Sequence, residues 1–194
     1  MPYPSKIDPA AIGAVGLAVA EEEGWERWSL REVASRLGVS PNALYRHVGD
    51  RDGLAVAVGS EAARALAGAI AAATGDDPVD RLVDMAVRYL DFACERPHAY
   101  EAFIRAKPQP DSEQLAPWLA CWAQVLATVA AAVPHAEEAC GFALWSSLHG
   151  RVDLTRGPAS VVDPRWGIDG AVRALVSGFA DGGPLPSPLE PPEI

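Results

Sequence analysis

The sequence predicts an all-α protein of about nine helices, because helical periodicity runs through most of its length. Nearly half of the 194 residues are apolar, with alanine dominant, and the β-branched runs typical of strands are absent. Apolar residues recur three and four positions apart, which is the spacing of one face of a helix. Gly and Pro residues separate these periodic segments, so the chain is predicted to be a series of helices joined by turns.

The first helix is predicted from Pro9 to Glu23. Asp8 can cap its N-terminus, a proline is favoured at its first position, and Gly24 can end it. Its partners in packing would be apolar residues, namely Ile12, Val15, Val19 and either Trp25 or Trp28. Together with the next two helices it would form one small domain.

Two short helices joined by a tight turn are predicted between residues 29 and 48. Ser29 and Glu32 make a capping box for the first, Gly38 supplies the left-handed residue that ends it, and Ser40 caps the second. This arrangement is a helix-turn-helix, whose second helix enters the major groove of DNA. That helix carries no acid, and its polar groups suit phosphates and base edges: Asn42, Tyr45, Arg46 and His47.

Positive charge is concentrated around these two helices. The chain has a net charge of −10, yet residues 25–51 contain five arginines and three acidic residues, a balance of +2. The acidic remainder would repel the phosphate backbone and help to orient the basic surface towards DNA. With so few cations we expect modest non-specific affinity, which binding as a dimer would offset.

Beyond this domain the periodicity predicts further helices. Asp50 or Asp52 begins an alanine-rich fourth helix that reaches about Ala72, and Thr74–Pro78 is a clear break. The later helices are predicted from Val79 to before Pro97, through Tyr100 and Ile104, from Asp111 to Val133, from Ala136 to Thr155 and from Ile168 to Ala180. A Gly/Pro-rich link, Gly157–Pro164, precedes the last helix, and the tail from Asp181 is expected to be disordered.

Few features of the sequence suggest another class of protein. Cys94, Cys121 and Cys140 are odd in number and widely spaced, so we expect small hydrophobes in a core rather than disulfides. Neither the cysteines nor the histidines show the spacing of a metal or catalytic site, so no cofactor or enzyme activity is predicted. No secretory signal is visible, and the longest apolar runs, such as Leu126–Val133, are too short to span a bilayer. A cytoplasmic protein is expected.

One pattern between Ile7 and Val58 matches a known family. The matching residues are Gly24, Ser29, Val33, Ala34, Gly38, Val39, Ser40, Leu44, Tyr45, His47 and Leu54. With these residues the segment resembles the DNA-binding domain of the tetracycline-repressor (TetR) family of bacterial regulators. Val48 replaces the usual Phe and still fills a core position. Arg51 replaces the usual Lys and still offers a cation to a phosphate.

We expect the helix from Pro41 to His47 to lie in the major groove. Phosphate contacts are expected from hydroxyl, imidazole and guanidinium groups, namely Ser29, Ser40, Tyr45, His47 and Arg51. Asn42 and Arg46 are expected to read bases, and Ala43 to touch a thymine methyl. Lys6 would add a cation from the N-terminal arm.

A second pattern, Trp145-x-x-x-His149-Gly150, places its Trp and His on one helical face. The segment Val79–Ala180 resembles the C-terminal domain of a TetR subgroup that is marked by Trp, His and Gly at this spacing. That resemblance implies that this helix and the last one pair with their copies in a second subunit. The residues expected there are Gly141, Leu148, Ala171, Ala174, Leu175 and Gly178.

The aromatic residues of the second half admit two interpretations. Trp118 and Trp122 share a helical face, which is usual for core packing. They could equally line a cavity for a hydrophobic or planar molecule, together with Phe92, Phe103, Phe142, Trp145 and His149. For His149, a hydrogen-bonded core or interface histidine is favoured over a ligand contact.

These observations predict a DNA-binding domain at residues 1–55, an effector-binding and dimerisation domain at 56–180, and a tail at 181–194. The predicted function is a homodimeric, ligand-responsive transcriptional regulator that binds a palindromic operator, and a repressor is favoured over an activator. A small molecule would release the operator by shifting the fourth helix. The alternatives are a protein-interaction module with a degenerate DNA-binding domain, favoured only by the low basic content, and a small helical enzyme.

Overall fold

The computed structural model describes residues 7–156 and 162–182. Across those ranges the chain is helical and contains no strand, so the predicted all-α class is confirmed. The elements are α1 Pro9–Glu23, α2 Leu30–Arg36, α3 Pro41–Val48, α4 Arg51–Ala71, α5 Pro78–Glu95, α6 Pro97–Arg105, a 3₁₀ turn at Glu113–Leu115, α7 Ala116–Ala132, α8 Glu137–Thr155 and α9 Ile168–Asp181. Lys6, the predicted tail beyond Gly182 and part of the Gly/Pro-rich link lie outside the described residues.

Side-chain caps fix the starts of the first four helices. Asp8, Ser29, Ser40 and Asp50 each accept a hydrogen bond from a backbone N–H in the following turn, at 2.8 to 3.3 Å. Gly38 adopts φ 66° at the turn between α2 and α3, a left-handed conformation that residues with a Cβ rarely adopt. The predicted caps and the turn glycine are therefore confirmed.

The chain divides into two compact units. One contains the residues up to Ala72 together with Arg88–Gln124, and the other contains Ala73–Val87 together with the residues from Val125 onward. The whole of α4 belongs with α1 and α6 in the first unit. The boundary predicted at residue 55 separates a DNA-binding domain from an effector-binding and dimerisation domain. Compactness does not test this functional division, so the boundary stays a prediction.

In the first unit, α4 approaches α6 closely because Gly59 has no side chain. A Cβ at this position would overlap the Cβ of Ala106 and lie 2.9 Å from the carbonyl oxygen of Ala102. The adjacent Ser60 is buried, and its hydroxyl donates to the carbonyl of Val56 at 2.8 Å. Small residues thus allow the two helix backbones to pack directly on each other.

A buried thiol also ties α7 to α4 in this unit. Cys121 Sγ lies 3.2 Å from the carbonyl oxygen of Ala63, and burial raises the pKa of the thiol to about 11. Cys140 is buried as well, so the predicted core role of these two cysteines is confirmed. For Cys94 the prediction is wrong, because this residue lies exposed near the C-terminal end of α5.

The start of α7 also differs from the prediction. The sequence pattern suggested a helix from Asp111, whereas a 3₁₀ turn capped by Ser112 comes first and α7 begins at Ala116. Pro117 explains the shift, because a proline lacks the N–H that a helix interior requires and fits only within the first turn.

The second unit is built around α8 and α9. These two helices pack on each other, and the buried apolar residues of the unit include some on α8 and α9 and some at the end of α7: Val129, Val133, Cys140, Leu144, Leu148, Val152, Ile168, Val172 and Val176. Arg173 of α9 donates to Asp80 of α5 at 2.6 Å, and Arg151 of α8 donates to the backbone carbonyl of Trp166 at 2.9 Å. These contacts connect the helices of the unit through their polar edges.

Two described helices are long and apolar enough, by composition alone, to cross a membrane. They are Arg51–Ala71, with a mean hydropathy of 1.4, and Glu113–Ala132, with 1.5. Counting only unbroken apolar runs overlooks both, because isolated polar residues interrupt them. One or two such helices are weak evidence of a membrane span, since the core helices of soluble proteins meet the same criteria of length and composition.

Candidate functional site

The exposed face of α3 carries most of the predicted DNA-contacting residues. Leu44 is fully buried and anchors the helix, whereas Ala43 and Val48 are half-buried at the edges. The exposed residues are Pro41, Asn42, Tyr45, Arg46 and His47, with Tyr45 46% exposed despite its apolar ring. A helix with this pattern presents a polar surface to a partner and retains a single apolar anchor.

The turn between α2 and α3 holds this face at a defined angle. The amide of Val39 donates to the carbonyl of Ala34 at 3.0 Å, and the amide of Gly38 donates to that of Ser35 at 3.0 Å. Buried Leu30, Val33 and Ala34 of α2 provide the apolar support. The two helices therefore form the rigid helix-turn-helix that the sequence predicted.

Ser29 and Ser40 use their hydroxyl oxygens as caps. Each oxygen accepts a backbone hydrogen bond, at 3.3 Å and 3.2 Å respectively, and both residues are exposed. A hydroxyl that accepts one hydrogen bond can still donate its own proton. Capping and donation to a phosphate are therefore compatible.

Arg51 begins α4, and its guanidinium lies over the ring of Trp28, with 5.5 Å between Cζ and the ring centroid. Trp28 is 3% exposed and its ring centroid is 5.3 Å from that of Trp25. The sequence pattern predicts only a core position for Trp28. No local signal indicates the contact, since the two residues belong to different elements.

α6 contacts the end of α1 and the turn after it through ion pairs. Arg96 Nε lies 2.8 Å from Glu21 Oε1, and Arg105 Nη1 lies 2.6 Å from Glu26 Oε1. The ring of His98 lies against Gly24, the residue that ends α1. These charged pairs join α6 and the residue before it to the end of α1 and to the turn that leads into the helix-turn-helix.

The residues predicted to bind an effector fall into two groups. Phe92, Phe103, Trp118 and Trp122 belong to the first unit, and Phe142, Trp145 and His149 belong to the second. In the first group, Phe103 stacks on Trp118 with 6.1 Å between ring centroids, and the Trp118 indole donates to the Phe103 carbonyl at 3.0 Å. Trp118 and Trp122 are both half-buried.

The second group lies along the outer face of α8. Phe142 is 60% exposed and Trp145 39% exposed, and the Trp145 ring centroid lies 5.3 Å from that of His149. Burial lowers the pKa of His149, Asp153 opposes this shift, and Arg156 adds to it. The Trp-His pair thus forms an apolar surface on the outside of the unit.

The residues predicted for a dimer interface all belong to the second unit, where some are exposed and others are buried. Ala174 and Gly178 are exposed on α9, and no atom lies within 4 Å of a Cβ placed at Gly178. Ala171 and Leu175 are half-buried, whereas Gly141 and Leu148 are buried inside the unit. On the same helix, Phe142 and Trp145 are exposed, so α8 has apolar residues on both its buried and its exposed face.

Among the described residues, no group of three or more His, Cys, Asp or Glu side chains could hold a metal ion.

Two family models match the chain. Residues 12–58 match the bacterial regulatory proteins of the tetR family, and residues 82–179 match the tetracyclin repressor-like C-terminal domain. An uncharacterized HTH-type transcriptional regulator of Mycobacterium tuberculosis, Rv0681, is 29% identical over 157 residues, which are 78% of this chain and 71% of that protein.

Solved structures share the fold. A protein of unknown function from Rhodococcus sp. RHA1 superimposes with a TM-score of 0.72 at 21% identity, over 93% of this chain and 99% of that one. A TetR variant from Acinetobacter baumannii AYE in complex with minocycline superimposes with a TM-score of 0.67 at 16% identity, over 91% and 98%.

Proposed function

This chain belongs to the TetR family of bacterial regulatory proteins, and from that premise we propose that its α3 reads a DNA operator under the control of a small molecule. As a member of the family it is a ligand-responsive transcriptional regulator and not an enzyme. The observation that carries the proposal is the exposed polar face of α3 around the buried Leu44, within the basic segment of an acidic chain.

We divide the contacts on DNA into two kinds. Tyr45, His47 and Arg51, with the hydroxyls of Ser29 and Ser40, would bind phosphates and fix the register of the protein. Asn42 and Arg46 would reach base edges, while Ala43 would contact a thymine methyl and Pro41 would start the helix in the groove. Lys6 would add a contact from the N-terminal arm. We propose a cytoplasmic location, because the operator would be in the cell's own DNA.

We propose that the chain acts as a homodimer through α8 and α9. The support is the exposure of the Phe142 and Trp145 rings on α8 and of the small residues Ala174 and Gly178 on α9. Exposed apolar patches of this kind mark protein interfaces, and in a two-fold dimer each patch contacts its own copy on the other subunit. Gly141 and Leu148 leave the predicted interface because they are buried within one chain.

The effector would be a small hydrophobic or aromatic molecule. The TetR variant from Acinetobacter baumannii is in complex with minocycline, and stacked rings such as Phe103 and Trp118 suit a hydrophobic or aromatic molecule. We assign the role to Phe92, Phe103, Trp118 and Trp122 of the first unit. We assign Trp145 and His149 to the dimer surface and not to the effector site, because their outer position suits contact with a partner helix.

Selection of DNA from a random pool by the purified protein tests this function. Enrichment of a palindrome, with half-sites about 34–36 Å apart or a multiple of that distance, is the expected result. Failure to enrich any sequence, with folded protein, would reject DNA recognition. Enrichment of a single half-site by a monomer would reject the dimer and leave the reading helix in place.

A further inference from the structure

We infer that Trp28 is a positioning residue, which holds the guanidinium of Arg51 ready for a DNA phosphate. The guanidinium carbon lies 5.5 Å from the centroid of the Trp28 ring, within the range of a cation–π contact. Trp28 is almost entirely buried, whereas Arg51 is exposed at the first position of α4. A fixed aromatic ring therefore supports a charged group that faces solvent. The inference rests on the proposed DNA binding.

The ring is a rigid platform. It packs beside Trp25, with 5.3 Å between ring centroids, and the backbone amide of Trp28 donates to the carbonyl of Gly24 at 3.1 Å. Its indole nitrogen is buried and has no hydrogen-bond partner in the described part of the chain. An unpaired buried N–H costs free energy that a phenylalanine or leucine would avoid. The core alone gives no reason for an indole here, and the contact with Arg51 supplies one.

The location of Arg51 fits a contact with the DNA backbone. It follows the end of α3 by three residues, so it lies beside the helix that would enter the groove. The neighbouring carboxylate of Asp50 caps α4 by accepting the amide of Gly53 at 2.8 Å. One of the two acids that flank Arg51 in the sequence is thereby engaged with the helix start, and the other, Asp52, is exposed.

Arginine suits this contact better than lysine. Its planar guanidinium stacks on aromatic rings and retains donors at its edge, whereas the ammonium of lysine is a compact and strongly hydrated charge. A long side chain loses rotamer freedom when it binds, so restraint before binding reduces that loss. Where the family pattern usually has Lys, this chain pairs Arg51 with Trp28.

DNA affinity and its salt dependence test the pair, using the enriched operator and the full-length protein. Arg51→Lys keeps the charge, so the salt slope should stay unchanged while affinity falls by about two- to fivefold. Arg51→Ala should lower the slope by about one, as expected for one lost phosphate contact. Because Arg51 is exposed, this substitution leaves the core intact. Unchanged DNA affinity in Arg51→Lys would therefore overturn the inference.

A double-mutant cycle separates positioning from packing. Trp28→Leu should weaken binding by about two- to fivefold in the wild-type background and cause no further loss in Arg51→Ala. An equal loss in both backgrounds would assign Trp28 to packing alone. Trp28→Phe keeps an aromatic face and should bind within about twofold of the wild type, and Trp25→Leu is the matched control for removing a buried indole.

The contact can also be detected without DNA. Arg51→Ala should shift the indole N–H resonance of Trp28 and leave that of Trp25 close to its original position. An unshifted Trp28 resonance would overturn the contact itself. A shifted resonance in a protein that binds no DNA would reject the proposed function and leave the contact in place. The measurement therefore distinguishes failure of the Trp28–Arg51 contact from failure of DNA binding.

Discussion

Arg96, the residue that precedes α6, donates from its Nε to the carboxylate of Glu21 near the end of α1, across 2.8 Å. A second pair joins Arg105, the last residue of α6, to Glu26 in the turn after α1, at 2.6 Å. Together they connect α6 to α1 without passing through α4. Motion of α6 therefore has a direct electrostatic route to the DNA-binding helices, in addition to the route through α4 that the sequence analysis favoured.

Reversal of one charge tests this link. Glu21→Lys would face Arg96 with a like charge and should lower the free energy of unfolding by about 1 kcal/mol or less, because both groups are partly exposed. The exchange Glu21→Arg with Arg96→Glu should restore most of the loss. Chemical denaturation measures both, and equal stability of all three proteins would show that the pair contributes nothing.

The two kinds of DNA contact should respond differently to substitution. Tyr45→Ala removes an exposed hydroxyl assigned to phosphate and should weaken binding to operator and random DNA alike. Asn42→Ala should cost about 1–3 kcal/mol on the operator and relax specificity at one base pair. Competition gel shifts measure both quantities. Equal loss on both DNAs for both variants would contradict this division of roles.

A charge on the outer face of α9 should separate the subunits. Ala174→Glu would bury a carboxylate against a partner helix, so we expect monomers by sedimentation. Ala14→Glu on the exposed face of α1 is the control and should leave the assembly unchanged. A dimer that persists in Ala174→Glu would place the interface on another surface.

Two of the three glycines within α4, Gly59 and Gly68, should respond in opposite directions to alanine. Gly59→Ala forces a methyl against Ala106 and should lower the free energy of unfolding by about 1–3 kcal/mol. Gly68→Ala has no atom within 4 Å of its new Cβ and should raise it by up to about 1 kcal/mol through helix propensity. Thermal or urea unfolding compares them directly. Equal effects would mean that α4 and α6 do not pack as closely as described.

The lowered pKa of His149 makes stability depend on pH. Burial disfavours the imidazolium, so the folded pKa lies below the value in the unfolded chain, which is about 6.5. The unfolded chain then binds more protons below that pH, and stability falls as the pH decreases through it. Urea midpoints at pH 7.5 and 5.5 should differ more in the wild type than in His149→Gln. An identical pH dependence would exclude His149 as the cause.

Local chemistry made much of this fold predictable from the sequence. The starts of α1 to α4 follow from capping side chains, and the turn at Gly38 follows from one residue that must be left-handed. α7 was placed too early because the apolar period was extended through Pro117, which cannot occupy a helix interior.

The sites depend on tertiary contacts and were less predictable. α8 is apolar on both faces, so its sequence alone could not distinguish the buried Leu148 from the exposed Trp145. The pairing of Trp28 with Arg51 joins residues of different elements, and no periodicity reports it. The exposed face of α3 was predictable, because a single buried Leu44 fixes the orientation of a short helix.

The contrast among the three thiols has a practical consequence. Alkylation requires the thiolate, and burial raises the pKa of both Cys121 and Cys140, whereas Cys94 lies at the surface. A maleimide dye or spin label should therefore attach at Cys94 of the unmodified protein. In a dimer, that would give two probes related by symmetry. Their separation, read by energy transfer or electron paramagnetic resonance, would report movement between the subunits without a single engineered cysteine.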